Sequence, residues 1–594
     1  MTTFFAALGR FAVRFRYLII AAWIVFAVLA VEILPSLDSV VKTTQSDFLP
    51  GSSPSLQAQK LELRFNHKTD NLAPLTLVAV AKSGVLTSTQ QSAITQLEGK
   101  IRRLAHVKSV EDLSVSPDLR ARQAQIWADV PQTVGPSTLM LIKHVRAGFV
   151  GAPPGLTYHL TGDLAIGADT KQKQQSADST AQLLSIAVII VLLLLAFRAL
   201  LAPVITLITA MVALVISGPV IALSTHLHIP VSSITSGVLI VLLLGAGTDY
   251  CVFLLSRMRE EISNGLTPKD AVARAVATVG ESISFSGLTV IASLSCLVLA
   301  KFGIYRSLGP ALAIGVGVML VAGLTLLPAL LAVFGNAVFW PARPKVTAVR
   351  HDGIWGRIAG RFIARPWVTL IVGVAVFGGL SLGMIGAPTT GGFTSSSPSG
   401  TDSARGEAAL RAHFPTAGAN PELAILSFRT SVWTNPAPAA AAEQRLVKSH
   451  LFRSVVGPFG PGGFSQTEGF TSAQIAGLYK TFGPPQRMPA SQHSGRRMQA
   501  TTYDAYRGLA QYFSADGKTI QFFTTPRHNN VDSAIALRDV GSLRSELTRT
   551  ATAVGATSSG LFGVLPIAYD ISHTSSSDLQ QVIPIVLVMI AFLL

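Results

Sequence analysis

Cysteine is scarce in this sequence: the chain of 594 residues contains two, Cys251 and Cys296. Two cysteines cannot build the disulfide framework of a small secreted domain, and because both lie in apolar runs we expect them to fill packing space. Charged residues are also few, at 13%, whereas soluble domains carry about 25%. Since 49% of the residues are hydrophobic, the composition predicts a protein that crosses a membrane several times.

Enzymatic motifs are missing as well. The sequence contains no HExxH motif, and no hydrolase is predicted. Residues 517–519 (GKT) resemble the end of a phosphate-binding loop, but Tyr512 stands where that loop requires its first glycine. His226 and His228 are predicted to be solvated residues of an external loop rather than a metal site. We therefore expect no enzyme activity, no metal and no cofactor, and any driving force would be a proton gradient.

Apolar runs of about 20 residues, long enough to cross a bilayer, recur along the chain. Arg14 and Arg16 precede the first run, which is too long for the apolar part of a signal peptide and is interpreted as an anchor. Basic residues gather on one side of the runs, and the positive-inside rule makes that side cytoplasmic. The net charge of +16 is thus explained by orientation in the membrane, and no nucleic-acid partner is predicted. The predicted spans are residues 17–35, 181–198, 201–224, 231–254, 282–300, 308–334, 367–386 and 579–594.

These spans predict a multi-pass protein of the cytoplasmic membrane with its N-terminus in the cytoplasm. The predicted segments are 1–36, the first span with the N-terminus; 37–180, an extracytoplasmic domain; 181–340, spans two to six, with a cytoplasmic amphipathic helix at 255–281; 341–366, a cytoplasmic linker; 367–386, the seventh span; 387–578, a second extracytoplasmic domain with an insertion at about 457–517; and 579–594, an incomplete eighth span.

The two halves of the chain resemble each other. "RYLIIAAWIVFAVLAVEI", from Arg16, has a counterpart in "RPWVTLIVGVAVFGGLSL", from Arg365, and "GDLAIGAD", from Gly162, has one in "GVLPIAYD", from Gly563. Strand and helix patterns in the first external segment follow the order β-α-β-β-α-β, the split βαβ or ferredoxin-like arrangement, and the second segment starts similarly. We therefore predict an α-helical membrane protein with two external α+β domains. Parallel repeats of this kind are typical of transporters.

Asp249 interrupts the apolar run "GVLIVLLLGAGTDYCVFLL", which begins at Gly237. An acid at the centre of a membrane helix costs about 2.5–3.5 kcal/mol. Gly237, Gly245 and Asp249 share a helix face on which small residues permit close contact with another helix, so the acid is predicted to point into protein. Two interpretations remain open: a hydrogen bond to Ser284 or Ser286 that only fixes the bundle, or a carboxyl group that gains and loses a proton during transport.

The run "GAGTDYCVFLLSRMREE", residues 245–261, resembles the fourth-span signature of the MmpL (mycobacterial membrane protein large) family in the resistance-nodulation-division (RND) superfamily. The order of spans, the two external domains and "FLPGSSPSLQAQKL" after the first span also fit. The resemblance implies a proton-driven exporter of lipids or other hydrophobic molecules, with porter domains of split βαβ type. It assigns the proton relay to Asp249 and Tyr250. Gly245, on the same face as Asp249, and Phe253 would line the relay.

The chain departs from the family pattern in its second half. Family members carry a second Asp-Tyr pair on a later span, whereas this sequence ends inside the eighth predicted span. We therefore expect a C-terminal truncation, a relay whose partner is the missing transmembrane half or an oligomer partner, and no pumping by the chain alone. A multidrug efflux pump and a non-transporting lipid sensor or scaffold are the alternative functions. The sequence predicts no substrate-binding residues.

Overall fold

The computed structural model divides the chain into two compact units. The helical unit comprises Met1–Thr43, Ser176–Ala387 and Ser576–Leu594, and the sheet unit comprises Thr44–Gln175 and Pro388–Ser575. The predicted linker at 341–366 lies largely outside the described residues, as does His228. The described residues are 2–37, 41–42, 48–65, 72–131, 134–197, 199–227, 231–232, 234–341, 360, 362–382, 398–414, 421–460, 469–488, 499–529 and 533–593.

Helices dominate these residues. They are α1 (Thr2–Arg14), α2 (Arg16–Ile33), α3 (Pro54–Glu62), α4 (Ser88–Arg102), α5 (Pro136–Ala147), α6 (Asp163–Phe197), α7 (Leu201–Ser224), α8 (Ile234–Ser263), α9 (Pro268–Ser295), α10 (Gly303–Leu324), α11 (Leu326–Phe334), α12 (Pro366–Leu382), α13 (Asp402–His413), α14 (Ala437–Lys448), α15 (Ser472–Phe482), α16 (Ala500–Gly508), α17 (Ala534–Ala553) and α18 (Val564–Leu593).

The strands form a short parallel pair in the helical unit and two four-stranded sheets in the sheet unit. They are β1 (Val41–Lys42), β2 (Ala73–Ala81), β3 (Val107–Val115), β4 (Ala121–Ala128), β5 (Leu156–Thr161), β6 (Val231–Ser232), β7 (Glu422–Ser427), β8 (Phe452–Val456), β9 (Thr519–Pro526) and β10 (Ser558–Phe562).

Several helices are built to cross a membrane. Among the described residues six are long and apolar enough, so the chain is a multi-pass membrane protein. The shorter apolar helix α12 coincides with most of the predicted seventh span, and the predicted span at 181–198 lies at the end of α6. The six candidate spans are Arg16–Ile33, Leu201–Ser224, Ile234–Ser263, Pro268–Leu299, Gly303–Phe339 and Val564–Leu593.

The amphipathic helix predicted at 255–281 does not exist as one element, so this prediction is wrong. Its first part is the end of α8 and its second part is the start of α9. The chain turns between them because Gly265 adopts a left-handed conformation, with φ of 95°, which glycine tolerates without steric cost. Thr267 then caps α9 by accepting a hydrogen bond from the Asp270 backbone N–H.

The first half of the sheet unit has the element order β-α-β-β-α-β, from β2 through α4, β3, β4 and α5 to β5. Its sheet has the strand order β3-β4-β2-β5, and every neighbouring pair is antiparallel. The inward side chains of β2 alternate with outward ones, and Leu75 and Leu77 are buried together with Ile94 of α4 and Ile126 of β4. Because the apolar side chains of β2 point to one face of the sheet, that face packs against the helices.

The second half repeats the arrangement with β7, α14, β8, β9, α17 and β10. Its strand order, β10-β7-β9-β8, is equivalent to that of the first sheet. An insertion carrying α15 and α16 separates β8 from β9. Glu443 of α14 fixes the start of this insertion: its carboxylate is 1% exposed and accepts a hydrogen bond of 3.0 Å from the Phe459 backbone N–H. Burial raises the pKa of Glu443 to about 7.

Each half of the sheet unit contributes a short helix to the sheet of the other half. Helix α3, from the first half, packs on β10 and β7 of the second sheet, while α13, from the second half, packs on β5 and β2 of the first. The close approach requires a glycine in both places. A Cβ built on Gly560 would lie 2.6 Å from Ala58 Cβ, and one built on Gly406 would lie 3.2 Å from His159 Cβ.

An arginine–aspartate pair holds the N-terminus of each exchanged helix. In the first pair, Arg146 contacts Asp169 through two bonds of 2.6 and 2.9 Å, and Asp169 accepts 3.1 Å from the Ser403 backbone N–H at the start of α13. In the second, Arg544 contacts Asp570 at 2.7 and 2.9 Å, and Asp570 accepts 2.9 Å from the Ser55 N–H at the start of α3. We call these arrangements the first and second clasps. A carboxylate suits this position because helix N-termini present free N–H groups and a partial positive charge.

The first clasp contains an additional acid. Asp402 bonds Arg146 at 3.2 Å and His159 at 2.9 Å, whereas the second exchanged helix begins with Pro54. Burial opposes ionisation of Asp402, but its bonds to His159 and Leu160 and the charge of Arg146 outweigh burial and lower its pKa. The pKa of Asp169 is lowered in the same way, by Arg146 and Ser403 against burial.

Candidate functional site

Helix α8 carries the predicted relay residues, and its two faces lie in different surroundings. Val241, Gly245, Asp249 and Phe253, spaced four residues apart, are exposed. This spacing places them along one side of a helix. On the opposite side Leu243, Gly247, Tyr250 and Leu254 are buried in the core of the helical unit.

The prediction that Asp249 points into protein is wrong for the described part of the chain. Asp249 is exposed there, and a Cβ built on Gly237 or Gly245 would meet no atom within 4 Å. The close helix contact belongs instead to Gly247, where a Cβ would lie 2.9 Å from Met319 Cε and 3.3 Å from Ala210 Cβ. The small residues were recognised from the sequence, but the face that the neighbouring helices cover was not.

Tyr250, the next residue, is buried among these helices and is 4% exposed. Two glycines make room for its ring. A Cβ on Gly287 of α9 would lie 3.0 Å from the Tyr250 Oη, and one on Gly323 of α10 would lie 3.3 Å from Tyr250 Cδ2. The sequence analysis missed both glycines; their only signal is that each is a residue without a side chain inside an apolar run.

The proposed structural partners of Asp249 do not engage it. The Ser284 hydroxyl donates to the Gly280 carbonyl of its own helix at 2.8 Å, and Ser286 is exposed. Among the described residues, no hydrogen bond or ion pair of Asp249 is found. The carboxylate and the Tyr250 hydroxyl therefore sit on adjacent residues but on different sides of α8.

The charged end of the sequence signature, residues 256–261, forms the last turns of α8. Arg257 pairs with Glu260 at 2.8 Å and with the largely buried Glu261 at 2.7 Å. The Arg259 guanidinium lies 5.9 Å from the centre of the Phe339 ring, within the range of a cation–π contact. The two ion pairs stabilise the last turns of α8 from within the helix, and the Arg259–Phe339 contact ties them to the segment after α11, so this part of the signature has a structural role.

Other candidate sites carry less chemistry. Residues 379–383 (GLSLG) match the GxSxG pattern of serine hydrolases, but Ser381 lies in the apolar helix α12 and donates its hydroxyl to the Phe377 carbonyl, whereas a nucleophile elbow requires a strand–turn–helix. No cluster of three metal-ligating side chains occurs within the described ranges. A cavity of about 180 Å³ beside Thr76, Asp163 and Glu407 in the sheet unit is smaller than the roughly 300–1,000 Å³ of typical ligand pockets.

Comparison with known proteins identifies the family. The model of the MMPL family matches residues 47–369, which include all of α8 and the predicted relay residues. The chain belongs to the MMPL family. This span is more than half of the chain and covers α9 and α10, whose glycines surround Tyr250, so the geometry described above lies within the family's own region.

Curated relatives of this MMPL-family chain are membrane and transport proteins. It is 30% identical over 422 residues to the putative membrane protein ActII-3 of Streptomyces coelicolor, covering 69% of this chain and 58% of that protein. It is 25% identical over 373 residues to the putative membrane protein YdgH of Bacillus subtilis, covering 62% and 41%. It is 26% identical over 489 residues to the sulfolipid-1 exporter MmpL8 of Mycobacterium tuberculosis, covering 79% and 44%. The chain thus spans about half the length of the curated relatives it matches.

Proposed function

We propose that this chain forms the first proton-coupling helices and the two porter domains of an exporter that moves lipids or other amphiphilic molecules across the cytoplasmic membrane, driven by the proton gradient. The observation that carries the proposal is the Asp249–Tyr250 pair on α8, an acid within a membrane-spanning helix beside a tyrosine held between two glycines. Acids in such helices are expensive and generally serve function.

In the proposed relay, the Asp249 carboxyl takes up and releases the proton. Its exposed position on the stripe of Val241, Gly245 and Phe253 leaves it free for a partner from outside the described chain. A further transmembrane helix or a second protein chain covers this stripe and removes Asp249 from lipid. Tyr250 packs the opposite side of α8 against α9 and α10. Protonation of Asp249 that shifts α8 would therefore also shift these two helices.

The two split βαβ halves of the sheet unit are the proposed extracytoplasmic porter domains. Their equivalent strand orders fit a transporter built from parallel repeats, and the exchanged helices connect the two halves. A lipid cargo is supported by the resemblance to a sulfolipid exporter. No substrate-binding residue is assigned.

Transport by an Asp249→Asn variant tests the relay. The assay follows movement of a fluorescent lipid into inverted membrane vesicles under an imposed pH gradient, for the chain alone and for the chain co-expressed with the part of ActII-3 that it does not cover. We expect Asn to abolish gradient-driven transport because it keeps a hydrogen-bonding group but cannot titrate. Thr248→Val is the matched control: it removes a neighbouring hydroxyl, which bonds the Gly245 carbonyl at 2.7 Å, and leaves the acid.

Unchanged gradient-driven transport by Asp249→Asn would remove Asp249 from the mechanism. Lipid binding without any response to the gradient, in wild type as in the variant, would favour the lipid-sensing alternative.

A further inference from the structure

The N-terminal helix α1 presents three distinct faces. It was not predicted as a separate element, and it ends where α2 begins, so it leads directly into the first membrane span. At 100° per residue, Phe4, Phe11 and Phe15 fall within a narrow stripe. Arg10 and Arg14 lie about a quarter turn to one side of this stripe, and Phe5, Gly9 and Ala12 lie on the other side.

The Phe5–Gly9–Ala12 face belongs to the protein. A Cβ on Gly9 would lie 2.6 Å from the Ala273 carbonyl oxygen of α9, and one on Gly280 would lie 2.7 Å from the Phe5 ring. Phe5 is 6% exposed and Ala12 is fully buried. Helix α1 is therefore fixed against the first turns of α9 and cannot rotate without losing this contact.

The aromatic stripe has no such cover. Phe4 is 63% exposed, Phe11 49% and Phe15 40%, and the Phe11 and Phe15 rings lie 5.0 Å apart. Three aligned phenylalanines on one short helix form an exposed apolar surface, which is unfavourable in contact with water. The same surface suits the acyl boundary of a bilayer.

The arginines stand at the edge of the aromatic stripe. Arg10 and Arg14 are exposed, and the Arg14 guanidinium lies 5.5 Å from the centre of the Phe15 ring. Arg16, at the junction with α2, donates to the Val13 carbonyl at 3.2 Å and lies over the exposed Tyr17 ring. When the phenylalanines of the stripe enter the apolar layer of a bilayer, the guanidinium groups beside them lie at the level of the lipid phosphates.

We propose that α1 lies in the membrane interface and binds anionic phospholipid headgroups. Two observations identify lipid as the partner of this surface. Helix α1 leads directly into the membrane-spanning helix α2, and arginines border its aromatic stripe. Since α9 also supplies Gly287 beside the Tyr250 hydroxyl, a lipid-bound α1 fixes the start of the helix that seats Tyr250.

Depth measurement by spin labelling tests the position of α1. Full chains carrying Cys296→Ala and either Phe11→Cys or the matched Arg10→Cys are labelled with a nitroxide in nanodiscs; the buried Cys251 stays, and the unsubstituted background provides the blank. We expect the label at 11 to collide with oxygen and to be protected from an aqueous nickel chelate, and the label at 10 to show the reverse. Equal exposure of both labels to the chelate, or equal protection of both, would overturn the proposal.

Lipid selectivity tests the headgroup. Spin-labelled phosphatidylglycerol and phosphatidylcholine are compared on wild type, on Arg10→Gln/Arg14→Gln, and on Arg429→Gln/Arg445→Gln, which removes the same charge from exposed positions of the sheet unit. The Arg10→Gln/Arg14→Gln variant should lose its preference for phosphatidylglycerol by up to about thirtyfold, since two arginines near an anionic surface contribute about 1 kcal/mol each, and the Arg429→Gln/Arg445→Gln variant should keep it. An equal preference in all three proteins would refute anionic lipid binding by α1.

Discussion

At the scale of single residues, Asp249 and Tyr250 are adjacent in the chain, but the first is exposed and the second is buried. A helix turns about 100° per residue, so consecutive side chains face different partners. Tyr250 is enclosed by glycines on α9 and α10, while Asp249 lies on a stripe that the described chain leaves uncovered. A substitution behind Tyr250 therefore probes the packing of the site separately from its acid.

Gly287→Ala tests that packing. Its Cβ would lie 3.0 Å from the Tyr250 Oη and from two carbons of Leu320, and overpacking of this kind costs about 1–3 kcal/mol. Adding Tyr250→Phe removes the clashing hydroxyl and should restore part of the loss. Thermal unfolding in detergent measures both effects. Gly317→Ala is the control, because its Cβ would meet only Ile291 Cδ1 at 3.9 Å; if the two alanine variants unfold alike, the tight seat of Tyr250 is refuted.

Glu443 offers a test by pH. Its pKa is raised from 4.5 to about 7, so its contribution to stability is complete below pH 4.5 and is lost as the pH rises through about 7. The full loss is about 3 kcal/mol. Amide exchange at residues 457–460, corrected for the intrinsic pH effect, should accelerate over this interval.

Glu443→Gln remains neutral at every pH and should abolish this acceleration. Glu546→Gln, an acid in a surface pair on α17, should leave it unchanged. Acceleration that persists with Gln at 443 would assign the pH effect to another group.

At the scale of elements, the exchanged helices depend on their clasps. In the second clasp, the Asp570 side chain is 6% exposed and that of Arg544 is 18% exposed. Removing one partner of a largely buried pair leaves a charge without compensation and costs about 3–5 kcal/mol in full burial. An exposed pair is worth about 0–1 kcal/mol. Helix α17 takes part in a pair of each kind: Arg544 pairs with Asp570 of α18, and Arg549 pairs with Glu546 within α17.

Arg544→Leu should therefore loosen α3, whose first turn donates to Asp570. We expect amide exchange in Pro54–Glu62 to accelerate by at least tenfold, and Arg544→Leu/Asp570→Asn to recover part of the protection because no buried charge remains. Arg549→Leu, which breaks the exposed pair with Glu546 on the same helix, is the control. Equal exchange of α3 in the two single variants would contradict the role of the clasp.

Local patterns predicted much of the sheet unit and missed its exchanged helices. The order β-α-β-β-α-β predicted for the first external segment is found from β2 to β5, and the insertion predicted at about 457–517 contains α15 and α16. Alternation and helical spacing report which residues share a face, but not which element covers that face. For this reason neither the docking of α13 on β5 nor the exposure of Asp249 could be derived from the sequence, and the turn at Gly265 was hidden within a helical pattern.

At the scale of the whole molecule, the predicted orientation is testable by labelling from outside. On the Cys296→Ala background, Ser83→Cys lies in the loop after β2 of the sheet unit, and Asn264→Cys lies in the turn between α8 and α9; both positions are exposed. An impermeant maleimide should label position 83 in intact cells and position 264 only after permeabilisation, since the basic segments around α8 favour the cytoplasm. Labelling in the opposite order would reverse the topology.

The exchange of helices also determines when the first sheet can be completed during synthesis. The last strand of the first sheet ends at Thr161, but the helix that completes its surface begins at Asp402. A ribosome that has finished the first sheet must therefore make α6 through α12 before that sheet receives α13. Until then His159 and Thr161 lack their contact with Gly406 of α13, and Asp169 lacks the hydrogen bond that it later accepts from the Ser403 N–H. The first half of the sheet unit thus leaves the ribosome incomplete and is completed only after the helices between the two halves have been made.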